Sequence, residues 1–180
     1  HWVDLKNSDG LMIIGSNAAE NHPASFAWIN KAREERGAKL IVVDPRFTRS
    51  AATADLYAPI RSGTDIAFFG GMINYTLENG LYHEEYVKHF TNATFLINKD
   101  FRGPAELEGL FSGYNPDKRT YDRSSWAYQQ DEEGNYLKDM TMKDSLCVFQ
   151  LLKKHYSRYD MDTVSKITGM PKDKLEEVYK

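Results

Sequence analysis

Lys39-Leu40-Ile41-Val42-Val43-Asp44-Pro45-Arg46 is the stretch on which the fold turns. Four apolar residues in a row, three of them β-branched, stop abruptly at an acid and a proline. An unbroken apolar run of this length reads as a strand buried on both faces, the pattern of a parallel sheet covered by helices. Upstream, residues 23–36 carry a helix signature. Pro23 suits the first helical position, charged residues crowd the end, and Gly37 is a stop. Ala24, Trp28 and Ala32 recur every four residues and are expected to share its inner face. Before it, Leu11-Met12-Ile13-Ile14 is a second short apolar run, ending in Gly15-Ser16-Asn17. Strand, helix and strand within about thirty residues make a right-handed βαβ unit the default.

The pattern extends downstream. Residues 50–55 read as a short helix and Leu56 to Ile60 as a third strand, with Pro59 at its end or on an edge. Gly63-Thr64-Asp65 opens a helix with Thr64 as candidate N-cap. Ile66, Phe69, Ile73 and Leu77 are its expected apolar stripe, and Asn79-Gly80 its stop. A short helix is expected over His83 to Phe90. The fold class is therefore α/β: a Rossmann-like parallel sheet flanked by helices. Residues 91–145 change character, rich in Tyr, Asp, Gly, Asn and Arg, and read as a long loop with one hairpin turning at Glu133-Gly134-Asn135. Loops of this length are usually functional or part of an interface. Helices resume over 146–158, 161–167 and 171–179, broken at Thr168-Gly169-Met170-Pro171. The expected organisation is a 1–90 α/β core, a 91–145 loop-rich insertion, and a 146–180 helical segment of the same domain.

Composition narrows the function classes. The chain has 180 residues, 41% hydrophobic and 27% charged, with a net charge of -3. That balance describes a folded domain and gives no global reason for nucleic-acid or membrane-surface binding. No apolar run reaches the roughly 18–20 residues of a bilayer span. His1-Trp2-Val3-Asp4 has no initiator Met and no signal-peptide pattern, which leads to the expectation of an excised fragment. Cys147, the one cysteine, excludes an intrachain disulfide or a cysteine-held cluster within these residues. It lies in an apolar helical run and reads as core. His22, His83, His89 and His155 have no metal-ligand spacing, and there is no HExxH or GxSxG motif. Lys153-Lys154-His155-Tyr156-Ser157-Arg158 reads as a solvated basic helix end.

Three polar loops remain, each following a strand and preceding a helix. In open α/β sheets ligands bind outside the carboxyl ends of the strands, and helix N-termini offer unpaired N–H groups to anions. In Gly15-Ser16-Asn17-Ala18-Ala19-Glu20-Asn21-His22-Pro23, Gly15 allows close backbone approach, Asn17 and Asn21 offer amides, and Glu20 an acceptor. The stretch is neither a GxGxxG fingerprint nor a Walker A loop, and an ordinary polar βα loop is the alternative. Asp44 stands where dinucleotide folds place a ribose-hydroxyl acceptor, with Arg46 a fixed positive charge beside it. A helix cap or an ion pair with Arg46 is the alternative for Asp44. In Arg61-Ser62-Gly63-Thr64-Asp65, Asp65 is suited to a guanine N1–H and N2–H₂ pair, or simply to first-turn helix electrostatics.

These same stretches resemble a known family. The first loop, Ile41-Val42-Val43-Asp44-Pro45-Arg46-Phe47-Thr48-Arg49 and Tyr57-Ala58-Pro59-Ile60-Arg61-Ser62-Gly63-Thr64-Asp65-Ile66-Ala67 are similar to the molybdopterin oxidoreductases, most of all to the large subunits of respiratory formate dehydrogenases. Gly113-Tyr114-Asn115, Tyr121-Asp122-Arg123-Ser124-Ser125-Trp126 and Leu151-Leu152-Lys153-Lys154-His155-Tyr156-Ser157-Arg158-Tyr159 extend the likeness through the long loop. Ala18 stands where many family members have proline, as in the formate dehydrogenase subgroup.

The resemblance implies a bis-molybdopterin guanine dinucleotide cofactor with molybdenum or tungsten, and oxidation of formate to carbon dioxide. Electrons would leave through iron–sulfur clusters to an electron-transfer subunit. It implies that Asn17, Glu20 and Asn21 line the nucleotide side of the cofactor, that Asp44 and Arg46 flank the guanosine, and that Gly63 and Asp65 complete the pocket, with Gly15 at the first turn. The metal-binding cysteine or selenocysteine with its neighbouring histidine, the cluster motif and the catalytic arginine are expected outside residues 1–180. No residue here is therefore assigned as catalytic or as a metal ligand, and the isolated chain is expected to be inactive. A periplasmic or partner-mediated membrane location is expected, with a cytoplasmic one open, and no direct membrane insertion. Two alternatives stand: another molybdopterin oxidoreductase, and a non-catalytic nucleotide-binding α/β domain.

Overall fold

The computed structural model describes residues 1–180. A 3-10 helix, Trp2–Asn7, leads into β1 (Gly10–Ile14). Then come α1 (Ala18–Asn21), α2 (Pro23–Arg36), β2 (Lys39–Val43), α3 (Arg49–Ala52), β3 (Leu56–Ala58) and α4 (Asp65–Glu78). After α5 (Glu84–Phe90) a long turn-rich segment holds one short hairpin, β4 (Tyr114–Asn115) and β5 (Thr120–Tyr121). The last elements are α6 (Val148–Tyr156), α7 (Met161–Thr168) and α8 (Lys172–Tyr179).

The chain divides into two compact units, residues 1–76 with 159–180, and residues 77–158. The first is the expected α/β fold. Its sheet has the order β1-β2-β3 and is parallel throughout. β2 alternates between two cores, as a central strand must. Leu40 and Val42 pack with Phe26, Ile29 and Ala51 from α2 and α3. Val43, with Ala58 and Ile60, packs with Phe68, Val164, Leu175 and Tyr179 from α4, α7 and α8.

Two expected helix faces are corrected. α2 spans the expected residues and is capped at Gly37, but it buries Ser25, Phe26, Ile29 and Ala32, while Ala24 is exposed. On α4 the expected stripe is split, with Ile66 78% and Phe69 43% exposed, Ile73 half-buried and Leu77 in the core. The buried face carries Ala67, Phe68, Gly71 and Asn74. α4 is apolar nearly all round, so periodicity does not choose a face. Close packing chooses it: a Cβ on Gly71 would stand 2.7 Å from Val164 Cγ2 and 2.8 Å from the Tyr179 hydroxyl. Tyr179 donates to the Phe68 carbonyl at 2.6 Å, and burial pushes its phenol well above the ordinary tyrosine range.

Helices α7 and α8 join the sheet although 82 residues intervene, from 77 to 158. Arg61 is the tie. Its backbone N–H donates to Thr168 O at 2.9 Å, and its guanidinium donates to Lys166 O at 2.7 Å and Ile167 O at 3.3 Å. These are carbonyls of the last turn of α7, which have no partner within the helix.

The second unit begins and ends elsewhere than the 91–145 insertion read from the sequence. It takes in α5 and α6, because α6 is stitched to residues 93–97. Val148 N–H donates to Phe95 O and Phe149 N–H to Ala93 O, both at 2.9 Å. Its hairpin lies at Tyr114–Tyr121. At the expected position the chain does reverse: antiparallel backbone bonds from Asp131 N–H to Asn135 O at 3.0 Å and from Leu137 N–H to Gln129 O at 2.9 Å flank a turn in which Asp131 Oδ1 accepts from the Glu133 and Asn135 N–H groups, with Gln130–Tyr136 as an isolated bridge. Asp139 organises the next turn. Its carboxylate accepts from the Thr141, Lys143 and Asp144 N–H groups and the Thr141 hydroxyl, which hold its pKa far below the usual range. Rings of Phe95, Tyr128 and Tyr136, and of Phe111, Tyr121 and Trp126, fill the spaces between.

Candidate functional site

The three strands end level. Ile14 pairs with Val43 and Val43 with Ala58. The ladder is carried one residue further by Gly15 N–H donating to Val43 O at 3.0 Å and Asp44 N–H donating to Ala58 O at 3.3 Å. Gly15, Asp44 and the 59–63 turn therefore leave the sheet at one edge.

Gly15 turns the chain with φ 61°, in the left-handed region that favours glycine, and a Cβ there would meet nothing within 4 Å. The backbone is open to close approach from outside. Gly63, φ 78°, is the same at the third loop. Asp65 opens α4, exposed. Thr64 donates its hydroxyl back to Arg61 O at 2.7 Å, closing the turn.

Asp44 is the one buried acid of the group, 7% exposed. Its Oδ1 accepts from the Arg46 N–H at 2.8 Å, an Asx-type turn, and its backbone carbonyl accepts from the Tyr57 hydroxyl at 2.9 Å. Oδ2 receives no donor from the protein. The alternatives of a helix cap or an ion pair with Arg46 are not realised: Thr48 caps α3, and the exposed Arg46 side chain forms no ion pair. Burial, and then the Asp44 charge, raise the Tyr57 phenol. Phe47, 63% exposed, stands edge-on to the Tyr57 ring at 5.1 Å.

Asn17 is held rather than free. Its Oδ1 accepts from the Ser50 N–H and hydroxyl, both at 3.3 Å, and its side-chain amide donates to Glu20. Ser50 Oγ in turn accepts the Ala19 N–H at 3.0 Å. Ser50 is fully buried and ties the first loop to the segment after β2. Sequence reading missed it, since a serine early in a short helix carries no signal of a partner 33 residues away. Asn21 and Glu20 are exposed beside it. A separate hollow of 330 Å³, lined by Arg33, Lys39 and Asp55 among others, opens at the amino end of the strands and shares none of these residues.

The molecule is thus an α/β domain whose parallel sheet brings two glycine turns and a buried acid to the carboxyl ends of its strands, the side at which open α/β sheets bind ligands. The molybdopterin oxidoreductase family model matches residues 1–157. The chain is 53% identical over 179 residues to the formate dehydrogenase subunit alpha of Megalodesulfovibrio gigas, covering 99% of this chain and 17% of that protein. It is 54% identical over 172 residues to the nitrate-inducible formate dehydrogenase major subunit of Escherichia coli, covering 96% of this chain and 17% of that one. Among solved structures, the acetylene hydratase of Pelobacter acetylenicus superposes with a TM-score of 0.59 at 26% identity, over 96% of this chain and 16% of that one. The chain belongs to the molybdopterin oxidoreductase family. It spans about a sixth of the length of these relatives.

Proposed function

We propose that this chain is a cofactor-holding part of a formate dehydrogenase catalytic subunit, and that the edge formed by Gly15, Asp44 and Gly63 takes the nucleotide end of a molybdopterin guanine dinucleotide. The observation that carries the reading is Asp44, a buried carboxylate with one oxygen left for an outside donor, at the level end of three parallel strands. Asp44 Oδ2 is not sealed from solvent, and a ribose hydroxyl or guanine N–H group is the kind of donor that takes the place of water on it.

The edge fits such a group. Gly15 and Gly63 leave room for close approach, Asp44 and the exposed Asp65 accept hydrogen bonds, and Arg46 brings positive charge toward the diphosphate. Asn21 and Glu20 lie on the first loop within the same reading. Asn17 serves it indirectly by anchoring that loop to Ser50. When bound, the bis-molybdopterin guanine dinucleotide, with molybdenum or tungsten, accepts the two electrons that formate releases on becoming carbon dioxide and a proton. An iron–sulfur cluster and an electron-transfer subunit, both outside these residues, would carry them onward. Identities of 53% and 54% to formate dehydrogenases over nearly the whole chain, against 43% over 89 residues, or 49% of the chain, to acetylene hydratase, favour formate oxidation over other chemistry of the family.

Asp44→Ala and Asp65→Ala in the complete enzyme test the reading by a count of bound metal and of GMP released by acid hydrolysis. Loss of a buried partner costs about 1–3 kcal/mol, so occupancy falls about fivefold or more under limiting cofactor. Unchanged metal and GMP content in both variants overturns the assigned pocket.

A further inference from the structure

Within residues 77–158 lies a groove of 790 Å³ that the cofactor reading does not use. Its walls are apolar: Phe101, Phe111, Leu146, Val148, Leu151 and Leu152. Leu152 and Phe111 at the lip are 40% and 39% exposed. Such surface is costly to leave in water and marks an interaction site when a polar rim surrounds it.

The rim is basic. Arg102, Lys143, Lys154 and Arg158 line the groove against a single carboxylate, Glu106. Arg102 and Lys154 share that carboxylate at 3.6 and 3.9 Å. Lys143 and Arg158 have no carboxylate partner, the Arg158 guanidinium instead meeting His155 O at 2.8 Å and His155 Nδ1 at 3.0 Å. The chain as a whole is acidic, at -3, so this concentration of cations does not follow from composition. Leu151 and Lys154 lie on α6 at a three-residue spacing, and Arg158 follows in the turn after its C-cap Ser157. Apolar contacts and charges thus alternate along a length, which suits an extended occupant better than a compact ion.

We propose that this groove docks an acidic, apolar segment of a partner protein, seating leucine- or phenylalanine-type side chains against α6 and the 101–111 turn, with carboxylates on Lys143, Lys154 and Arg158. A covering segment from the same polypeptide fits less well. Permanent interfaces resemble a divided core and shed charge, especially lysine. Unpaired cations around an apolar floor instead speed the encounter of separate molecules, a gain that a tethered segment does not need. No groove residue belongs to the strand-end loops, so this inference stands apart from the cofactor assignment.

The test places p-benzoylphenylalanine at Leu152 in the natural gene product, purified with its associated subunits, and sequences the peptides crosslinked on irradiation. The expected product joins a second polypeptide at a segment holding both carboxylates and large apolar side chains. Lys143→Glu with Arg158→Glu lowers its yield about tenfold, Lys143→Arg with Arg158→Lys preserves it, and metal content stays constant in all. The proposal is overturned by a crosslink only within the same polypeptide, by one to a basic or uncharged segment, by no crosslink, or by equal yield in the charge-reversed protein.

Discussion

Replacing Ser50 by alanine removes one oxygen and releases the first strand-end loop. That oxygen accepts the Ala19 N–H at 3.0 Å and donates to Asn17 Oδ1 at 3.3 Å. Ala19 is in the first turn of α1, where N–H groups have no partner within the helix, so Ser50 caps that helix from a distance. Each bond is worth about 0.5–1.5 kcal/mol net, and stranding the partly buried Ala19 N–H pushes the first toward the top of that range. Alanine recovers roughly 0.5 kcal/mol of helix propensity in α3. The balance is a loss of about 1.5–2.5 kcal/mol, which for a chain of this length lowers Tm by roughly 3–10 °C. The local consequence is sharper: exchange of the Ala19 amide accelerates about tenfold for each 1.4 kcal/mol. Amide exchange read by NMR, beside a thermal melt, measures both. A melt within 1 °C of the parent (roughly the resolution of the shift predicted here), with unchanged Ala19 exchange, refutes Ser50 as the tie.

Gly71→Ala sets a helix-propensity gain of about 1 kcal/mol against a Cβ placed 2.7 Å from Val164 Cγ2, and overpacking at about 1–3 kcal/mol wins. A chemical melt checks the sign, and a stabilised variant contradicts the packing described. Tyr179→Phe loses the 2.6 Å bond to Phe68 O and destabilises by about 1 kcal/mol, read from the denaturation midpoint at constant m-value. Asp55 accepts the Leu40 N–H at 2.8 Å and pairs with Arg33, and the Leu40 bond, then the Arg33 charge, hold its pKa below the ordinary value against the opposing effect of burial. A depressed carboxylate stabilises above its unfolded pKa of about 3.9 and loses that contribution as pH falls through the folded value. The stability gap between the parent and Asp55→Asn is therefore full at pH 7 and closes below about pH 4. A gap that stays constant across that range would show that the charge contributes nothing.

Local chemistry was enough to read the sheet and the edge to which it brings the polar loops. Ile41-Val42-Val43, β-branched and stopped by Asp44-Pro45, carries the pattern of a buried parallel strand, and Pro23 and Gly37 bound α2 by backbone constraint. The position of Gly15, Asp44 and Gly63 at strand ends follows from those boundaries, because a parallel sheet brings all its carboxyl ends to one side. Tertiary structure decided the rest. The inner face of α4 was not legible, since its apolar residues surround the helix and only the tight contact of Gly71 with Val164 and Tyr179 selects one side. Ser50 as the anchor of Asn17, Arg61 as the cap of α7 and the return of residues 159–180 to the sheet were hidden for one reason. Each is a polar or packing contact across tens of residues of chain, and such contacts leave no periodicity in the sequence that makes them.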